Sequence, residues 1–264
     1  MPLRGRTVLV TGSAKGLGKM TALTLAKKGC QVAVNYVTSE REAAELVQQL
    51  TVMGVRSIAV QGDVAKREDN IRMVEETVSA LGSIDILVNN AGPFVRERRF
   101  FADYDIDEID YLMRGNLLGV MTLDHLVLPM MREKRWGRII HFGFGKAAEA
   151  RGWTHRAAYA AAKVGLVSFT KTLAEEEAAH GITVNMICPG DIRGKNKERT
   201  MEEARLEVDG ETPVGRPGTG EDVARVIDFL CSPNSDFITG NIMDISGALD
   251  PIQPIPVIKQ RKSE

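Results

Sequence analysis

Short runs of β-branched and apolar residues alternate with longer helical patterns along almost the whole chain. Most of these runs are continuously apolar, which is typical of strands that are covered on both faces. Seven runs are predicted to be strands: Thr7–Val10, Val32–Asn35, Ser57–Gln61, Ile84–Asn89, Arg138–Phe142, Thr183–Cys188 and Asn241–Ile245. The alternation predicts a doubly wound α/β fold, in which a mostly parallel seven-stranded sheet carries helices on both faces.

The segments between the strands have the periodicity and length of helices. Six long helices are predicted: Gly18–Lys28, Glu40–Met53, Arg67–Leu81, Ile106–Lys134, Thr154–His180 and Gly220–Cys231. Residues 191–217 interrupt this rhythm with charged and glycine-bearing sequence, and a short helix is predicted within them over Met201–Val208. Because no repeat or linker divides the chain, we expect one domain over residues 1–250 and a loosely held, proline-bearing tail over 251–264.

A glycine-rich segment, Thr11–Gly18, separates the first strand from the first helix. Glycines allow a tight turn and a close backbone approach, and the free N–H groups of a helix start face an anion. The alternative interpretation is an ordinary strand-to-helix turn. The strand before the segment, the helix after it and its place in the first β–α unit favour a nucleotide-binding, Rossmann-type site.

The end of the second strand bears on the choice of nucleotide. NAD-binding proteins of this architecture usually place an acidic residue there to hold the ribose 2′-hydroxyl. This chain has Asn35 and Tyr36, and no carboxylate occurs before Glu40. Lys15 could instead meet a 2′-phosphate, with Thr38 and Ser39 as hydrogen-bond donors. The sequence therefore favours NADP(H), although Lys15 could also be a solvated loop residue.

Tyr159 and Lys163 are separated by three alanines in a predicted helix. This spacing places both side chains on one face, about one turn apart. A nearby ammonium group is expected to lower the tyrosine pKa toward working pH. The tyrosine could then pass a proton to a carbonyl oxygen while a nicotinamide gives hydride to the carbon. A surface pair is the alternative.

From about residue 5 to residue 249 the chain resembles the short-chain dehydrogenase/reductase family. The motifs that carry the resemblance are Thr11–Gly18, Asp63-Val64, Asn89-Asn90-Ala91-Gly92, Asn116, Tyr159 with Lys163, and Pro189-Gly190. Within the family the chain is similar to 3-oxoacyl-[acyl-carrier-protein] reductase-like members. That likeness lies in Val34-Asn35-Tyr36, Thr212-Pro213-Val214-Gly215-Arg216 and Phe237-Ile238-Thr239-Gly240.

The resemblance implies a catalytic role for Tyr159, Lys163 and Asn116, with Asn116 relaying protons through a water held by its helix backbone. It also implies contacts to NADP(H), as follows: Gly12, Ser13, Lys15, Gly16, Leu17, Gly18, Asn35, Tyr36, Ser39, Asp63, Val64, Asn89, Ala91, Gly92, Tyr159, Lys163, Pro189, Gly190 and Ile192. Other roles remain open for two of these residues. Asp63 could be a helix N-cap, and Asn116 a buried polar group satisfied by its neighbours.

The serine that this family normally carries after the fifth strand is missing. Aligned forward from Gly137 its position falls at Phe144, whereas counted back from Tyr159 it falls at Lys146. Losing a polar partner for a developing oxyanion commonly costs on the order of 10²–10³ in turnover. Thr154 or His155 could substitute, and Lys146 could supply positive charge. The alternatives are that these side chains are solvated or, for Thr154, that it caps the helix.

Two functions of different class follow. The first is an NADPH-dependent reductase of a small-molecule or acyl-thioester carbonyl, with an altered oxyanion partner. The second is an NADP(H)-binding scaffold or sensor with little turnover. Substrate contacts are expected from segments 93–103 and 143–154 and from a lid over 191–217. The first segment carries Phe94, Phe100, Phe101, Arg96, Arg98 and Arg99, which either grip an apolar acyl chain on an anionic carrier or form an ordinary solvated loop.

Charge and composition exclude other classes. The formal net charge is -1, which gives no footprint for nucleic acid or an anionic membrane. Cys30, Cys188 and Cys231 lie far apart without metal-ligand spacing, so we expect no metal site and buried thiols in a reducing compartment. The short apolar run near the start fits no secretion signal, so a cytoplasmic protein is predicted. Apolar residues on several faces of the two longest helices predict a homodimer or homotetramer, or else a thicker core.

Overall fold

A computed structural model describes residues 3–252, and its seven strands form one sheet in the order β3-β2-β1-β4-β5-β6-β7. The strands are β1 Thr7–Val10, β2 Gln31–Tyr36, β3 Ser57–Gln61, β4 Ile86–Asn89, β5 Gly137–Phe142, β6 Ile182–Pro189 and β7 Ile242–Ile245. All six pairings are parallel, so the predicted single-domain, doubly wound sheet is confirmed. Every strand therefore ends at the same edge of the sheet.

Eight α-helices cover the sheet within residues 3–252. They are α1 Gly16–Lys27, α2 Glu40–Val52, α3 Arg67–Leu81, α4 Ile106–Met113, α5 Gly119–Glu133, α6 Ala157–Glu177, α7 Met201–Ala204 and α8 Gly220–Cys231. Because successive strand residues point to opposite faces, Val8 and Val10 pack under α1, α2 and α8, whereas Leu9 packs under α3, α5 and α6. None of the helices described has the length and apolarity needed to cross a membrane.

The sheet order reverses direction at β1, whose two neighbours are β2 and β4. In open α/β sheets the crevice for a ligand lies outside the carboxyl ends of the strands at such a point. The loop after β1 is glycine-rich, and Asn90 in the loop after β4 donates hydrogen bonds to the carbonyls of Thr11 and Gly12 at 2.8 and 3.1 Å. The two loops are therefore held together at the mouth of the crevice.

The predicted helix over Ile106–Lys134 is present along this stretch, but a π-helical turn, Arg114–Leu118, interrupts it between α4 and α5. The chain passes very close to neighbouring loops at this turn. A Cβ atom on Gly119 would lie 2.0 Å from the carbonyl oxygen of Val64, and one on Gly115 would lie 2.3 Å from the Pro93 ring. The irregular turn is a local adjustment of a helix that packs against two loops, which periodicity alone does not reveal.

The predicted helix over Thr154–His180 is shorter in the structure, because α6 begins at Ala157 and ends in a 3-10 turn over Ala178–His180. Arg156 precedes the first helical residue, and its N–H donates to the carbonyl of Trp153 in a turn. Thr154 is therefore not the helix N-cap. This turn, rather than a helix, presents residues 153–156 to the crevice.

The other differences are at the ends of elements and in the lid. The short helix predicted over Met201–Val208 is one turn, Met201–Ala204, preceded by a 3-10 turn over Gly194–Glu198. Ile252, in the predicted tail, is 6% exposed and belongs to the apolar cluster that contains Phe144. The rest of the predicted tail, residues 253–264, lies outside the described residues.

A buried polar network joins the sheet to α5 and α6. The Asp124 carboxylate accepts a hydrogen bond from the Asn89 amide at 2.8 Å and lies 2.8 Å from Nε2 of His141. Nδ1 of His141 in turn lies 2.8 Å from the hydroxyl of Thr170. All four side chains are at most 1% exposed. The network therefore fixes Asn89, at the end of β4, relative to both helices.

Replacing Asp124 by Ala should lower the free energy of unfolding by about 3 kcal/mol, because removing one member of a buried, paired network leaves its partners unsatisfied. Chemical denaturation monitored by circular dichroism measures this. Asp110→Ala is the matched control, since Asp110 pairs with Arg114 on the exposed face of α4 and should change stability by less than about 0.5 kcal/mol. Equal losses for the two variants would show that the network does not stabilise the fold.

Candidate active site

A cavity of about 1020 Å³ lies along the carboxyl edge of the sheet. At one end it is bordered by Lys15, Gly16 and Leu17 of the glycine-rich loop, and at the other by Tyr159 and Lys163 of α6. Its size is at the upper end of the range found for ligand sites. One continuous space therefore joins the predicted nucleotide loop to the predicted reacting pair.

The structure brings together part of the predicted nucleotide set. The residues of that set that line the cavity are Lys15, Gly16, Leu17, Gly92, Tyr159, Lys163, Pro189, Gly190 and Ile192. The residues of that set that do not line it are Gly12, Ser13, Gly18, Asn35, Tyr36, Ser39, Asp63, Val64, Asn89 and Ala91. Direct contact of either group with a nucleotide stays a prediction.

The glycine-rich loop has the geometry of a phosphate cradle. Gly12 has φ of 61°, in the left-handed region that favours glycine. A Cβ atom on Gly18 would lie 2.6 Å from the carbonyl oxygen of Gly12, so helix α1 can approach the loop this closely only with glycine there. The residues of the loop thus fit a dinucleotide whose pyrophosphate lies at the start of α1.

Asn35 and Ser13 hold this loop from below. The Gly12 N–H donates to Oδ1 of Asn35 at 2.8 Å, and the Asn35 N–H donates to the Ser13 hydroxyl at 3.1 Å. The Ser13 hydroxyl itself donates to the carbonyl of Val10 at 2.7 Å. Both side chains are fully engaged with the protein, so their observed role is to position the loop.

Glu198 is a residue of this site that the sequence pattern did not reveal. Its carboxylate accepts a hydrogen bond from the Gly16 N–H at 2.7 Å and pairs with Lys19 at 2.8 Å. Burial opposes ionisation of Glu198, but these two contacts outweigh it, and its pKa lies below the usual value. A carboxylate of the lid segment therefore accepts a hydrogen bond from the Gly16 N–H, one of the backbone donors of the phosphate cradle. Nothing in its local sequence distinguishes it from other charged lid residues.

Lys15, expected near a 2′-phosphate, lines the cavity and forms an ion pair with Glu42 at 2.6 Å. Asp63, expected at the adenine, accepts hydrogen bonds from the Ala65 N–H at 3.0 Å and the Tyr111 hydroxyl at 3.1 Å. Asp63 is not the residue that precedes helix α3, because Lys66 holds that position. The helix N-cap interpretation of Asp63 is therefore wrong.

Tyr159 and Lys163 lie in the first two turns of α6, and Nζ of Lys163 is 5.9 Å from the centre of the Tyr159 ring. Lys163 is only 3% exposed, and burial lowers its pKa to about 8. Burial also raises the pKa of Tyr159 above its ordinary value. The net shift of the tyrosine pKa is therefore upward, opposite to the lowering expected beside Lys163, because desolvation dominates in this geometry.

Asn116 lies in the π-helical turn and is fully buried. Its amide donates to the carbonyls of Pro93 and Leu112 at 2.8 and 3.0 Å, which fixes the loop after β4 against the helix. Its Oδ1 atom has no hydrogen-bond partner among residues 3–252. A Cβ atom on Gly92 would lie 2.3 Å from that oxygen, so the loop and the helix touch directly at the cavity wall.

Of the two positions predicted for the family's serine, Phe144 lines the cavity and Lys146 does not. Phe144 is 4% exposed and its ring centre lies 6.1 Å from that of Tyr159. Lys146 instead pairs with Glu149 at 3.0 Å, and its N–H donates to Asp244. An apolar ring therefore lies beside Tyr159 at one of the two positions predicted for the serine.

Thr154 and His155 both border the cavity, as expected for candidate substitutes. The ring of His155 lies against Phe100, with 4.8 Å between ring centres, and its Nδ1 is buried without a hydrogen-bond partner among residues 3–252. Its backbone has φ of 66°, which is uncommon for a residue other than glycine. A role for either side chain in the reaction stays a prediction.

The segment after β4 forms the outer wall. Arg99 makes a bidentate pair with Glu108 at 2.6 and 3.0 Å, so it is a structural residue, whereas Phe94, Arg96 and Arg98 line the cavity. Residues 3–252 bring together no group of three or more His, Cys, Asp or Glu side chains that could hold a metal ion. Cys30, Cys188 and Cys231 are buried and unpaired, as expected.

Comparison with known proteins identifies the family. A family model described as enoyl-(acyl carrier protein) reductase matches residues 12–249. YtkK of Bacillus subtilis, named as an oxidoreductase, is 49% identical over 94% of this chain and 97% of its own length. The 3-oxoacyl-[acyl-carrier-protein] reductase FabG of Staphylococcus epidermidis is 35% identical over 92% and 98%.

Solved structures agree. A 3-oxoacyl-reductase structure from Bacillus thuringiensis, 48% identical, superposes with a TM-score of 0.88 over 94% of this chain and 99% of its own. A blue fluorescent protein from a metagenomic library, in complex with NADPH, is 30% identical with a TM-score of 0.81 over 94% and 98%. Together with the glycine-rich loop and the Tyr159–Lys163 pair in one cavity, these matches show that the chain belongs to the short-chain dehydrogenase/reductase family and is an NAD(P)-dependent oxidoreductase.

Proposed function

We propose that the protein is an NADPH-dependent reductase that converts the carbonyl group of a small molecule or acyl thioester to an alcohol. The observation that carries this proposal is the continuous cavity between the glycine-rich loop and the Tyr159–Lys163 pair, in which Lys163 is buried and Tyr159 is half-buried. NADPH supplies the hydride when it is bound. Two comparisons support carbonyl reduction by NADPH. The FabG relatives are named as 3-oxoacyl-[acyl-carrier-protein] reductases, and one structural relative was solved in complex with NADPH.

In this proposal Tyr159 is the general acid. Its raised pKa keeps the phenol protonated at neutral pH, which suits proton donation to the oxygen of a carbonyl that is being reduced. Lys163, whose pKa is about 8, places a partly charged ammonium group beside the tyrosine and stabilises the phenolate that donation leaves behind. The hydrogen bonds from the Asn116 amide to the carbonyls of Pro93 and Leu112 fix the loop after β4 against the helix at this end of the cavity.

A second function, nucleotide binding with little turnover, is the alternative because the family's serine is missing. With one oxyanion donor fewer, turnover could be so low that the protein acts as an NADP(H)-binding scaffold or sensor. The burial of Lys163 argues for catalysis, since burying an ammonium group without a carboxylate partner is costly unless the group has a function.

The proposal includes a homo-oligomer. Tyr111, Leu118 and Met121 project from α4, the π-helical turn and α5 with 38–48% of their surfaces exposed. Other apolar residues of the predicted faces, including Leu112, Leu166 and Leu173, belong instead to the core of the chain. The exposed group is suited to packing against the same helices of a second copy.

Tyr159→Phe should lower kcat/KM for carbonyl reduction by roughly 10²–10⁴-fold while NADPH binding is retained. An NADPH oxidation assay over 3-oxoacyl thioesters, diketones and aldehydes, with a fluorescence titration of NADPH, measures both. Tyr111→Phe is the matched control for the chemical step alone, because that hydroxyl contacts Asp63, a predicted nucleotide contact, and lies away from the reacting end. Equal turnover by wild type and Tyr159→Phe would reject the mechanism, and tight NADPH binding without any turnover would favour the binding-protein function.

The same reaction should slow as pH rises through about 8, because Lys163 loses its proton in this range. Tyr159 stays protonated over the same range, since its pKa is raised. The effect is measured as a profile of kcat/KM from about pH 6 to about pH 10, a range that brackets the pKa of Lys163. A rate that is flat across the range would mean that the charge on Lys163 does not contribute.

NADPH should bind more tightly than NADH, and Lys15→Ala should weaken NADPH binding roughly tenfold while leaving NADH almost unchanged, because a charge-assisted contact to the 2′-phosphate is lost. Lys27→Ala, at the other end of α1, is the control. Dissociation constants from isothermal titration decide the matter. Tighter binding of NADH by the wild type would reject the assignment to NADP(H).

Glu198→Gln should strengthen NADPH binding several-fold, because the carboxylate at the Gly16 N–H must leave, or repel the pyrophosphate, when the dinucleotide binds there. Glu202→Gln, on the exposed face of the same lid, is the matched control. The titration used for Lys15 measures it. Weaker NADPH binding by Glu198→Gln would show that the carboxylate supports the site rather than competing for it.

A further inference from the structure

We infer that the substrate is a carbonyl compound with a flat aromatic or conjugated body and an anionic group at its far end. The body would lie on the aromatic wall, which we define as Phe94, Phe144 and Trp153, and the anion would face the basic rim, Arg96 and Arg98. This inference rests on the proposed reductase function and specifies the substrate class of the same site.

The aromatic wall surrounds the ring of Tyr159. Phe94 meets Tyr159 edge-on with 5.0 Å between ring centres, and Trp153 does so at 6.1 Å. Phe144 lies 4.8 Å from Trp153, behind both. All three wall residues line the cavity. A carbonyl carbon placed near the Tyr159 hydroxyl therefore brings the atoms attached to it against aromatic edges and faces, the surface with which flat π systems interact best.

Arg156 makes this wall a fixed structure. It is 8% exposed, and its guanidinium donates to the backbone carbonyls of Glu97 and His155 through Nη1 at 2.7 and 2.8 Å, and of Arg96 through Nη2 at 2.8 Å. The same guanidinium lies 5.0 Å from the centre of the Phe94 ring. The loop that carries Phe94 and the turn that carries Trp153 are thus joined by one buried side chain.

The basic rim continues from the wall along the same loop. Phe94, Arg96 and Arg98 line the cavity whereas Val95 and Glu97, which alternate with them, do not. Arg96 and Arg98 are exposed, and their guanidinium groups make no salt bridge or hydrogen bond within residues 3–252. A ligand that reaches from Tyr159 along this loop meets apolar rings first and free positive charge next.

Three other cations of the cavity are paired with carboxylates, whereas Lys163, Lys197 and Arg156 form no salt bridge within the described residues. Arg151 pairs with Asp250 at 2.5 Å, Lys15 with Glu42 at 2.6 Å, and Arg193 with Asp191. The chain as a whole has a formal net charge of -1, so unpaired charge at the rim is a local feature and not a consequence of composition. A carboxylate on the substrate is the partner that matches planar guanidinium groups.

Four ketones in two matched pairs test the inference by kcat/KM with NADPH: 4-acetylbenzoate and its methyl ester, and levulinate and its methyl ester. We expect the aromatic acid to be the best substrate of the four. Arg96→Gln with Arg98→Gln should lower the acid-to-ester ratio several-fold, as should added salt, because the attraction is between exposed charges. Trp153→Leu should lower the aromatic-to-aliphatic ratio several-fold. Arg4→Gln, an exposed arginine before β1 that does not line the cavity, should change neither ratio.

The outcomes separate the two levels of the proposal. Reduction of ketones with no preference for the acid or for the ring would overturn this inference and leave the reductase function standing. If none of the four is reduced, quenching of tryptophan fluorescence in the NADPH complex of a Trp136→Phe variant, in which Trp153 is the remaining tryptophan, gives the order of binding. An order without the aromatic acid first also overturns the inference. Acetoacetyl-coenzyme A provides the remaining comparison. A loss confined to that thioester in the arginine double variant would mean that the rim binds a carrier's phosphate, and would reject an anionic substrate body.

Discussion

The contact between two loops at the reversal of strand order is the constraint on which the rest of the site depends. Asn90, after β4, donates to the carbonyls of Thr11 and Gly12, after β1. A Cβ atom on Gly18 would lie 2.8 Å from the Asn90 amide nitrogen, so the helix start, the glycine-rich loop and the loop after β4 share one small volume. This arrangement leaves the start of α1 facing the cavity and sends the next residues of the second loop, from Gly92 onward, toward Tyr159.

The exchange of a hydroxyl for the Phe144 ring changes the chemistry that this end of the cavity can perform. In the proposed reaction Tyr159 is the principal side-chain donor beside a wall of aromatic rings, and desolvation, which raises its pKa, keeps the phenol protonated. A carbonyl oxygen would be polarised by fewer hydrogen bonds but held in a drier environment, in which each remaining electrostatic interaction is stronger. An aromatic ring therefore both removes a donor and strengthens the effect of the one that remains.

The charged side chains around the cavity differ in how far they are buried, and their behaviour differs accordingly. Lys163 is desolvated beside Tyr159, Glu198 carries its charge to the Gly16 N–H, and the rim arginines stay in solvent. Desolvation makes the lysine easier to deprotonate, whereas hydrogen bonds keep the glutamate ionised. Groups that are all charged in isolated peptides thus differ in behaviour according to the partners that the fold gives them.

The sequence by itself determined the sheet, its direction and the two firmest features of the site. Strand and helix periodicity depends on local side-chain patterns, and the glycine-rich loop and the Tyr159–Lys163 spacing are likewise local, so each could be predicted from neighbouring residues. From the sequence, the position of the family's serine could be narrowed only to Phe144 or Lys146. The number of residues between β5 and α6 does not show which of these two side chains faces the cavity.

Only the tertiary structure decided what depends on segments that are distant in the chain. The π-helical turn at Arg114–Leu118 arises where Gly119 meets Val64, and Glu198 reaches Gly16 from a residue separation of 182. Arg156 joins two loops through backbone carbonyls, which any residue type can offer. The pKa of Tyr159 followed its burial and not the charge of its sequence neighbour. Local spacing records which groups are near along the chain, whereas desolvation and carbonyl contacts depend on the packing of the whole domain, and these set the chemistry of the site.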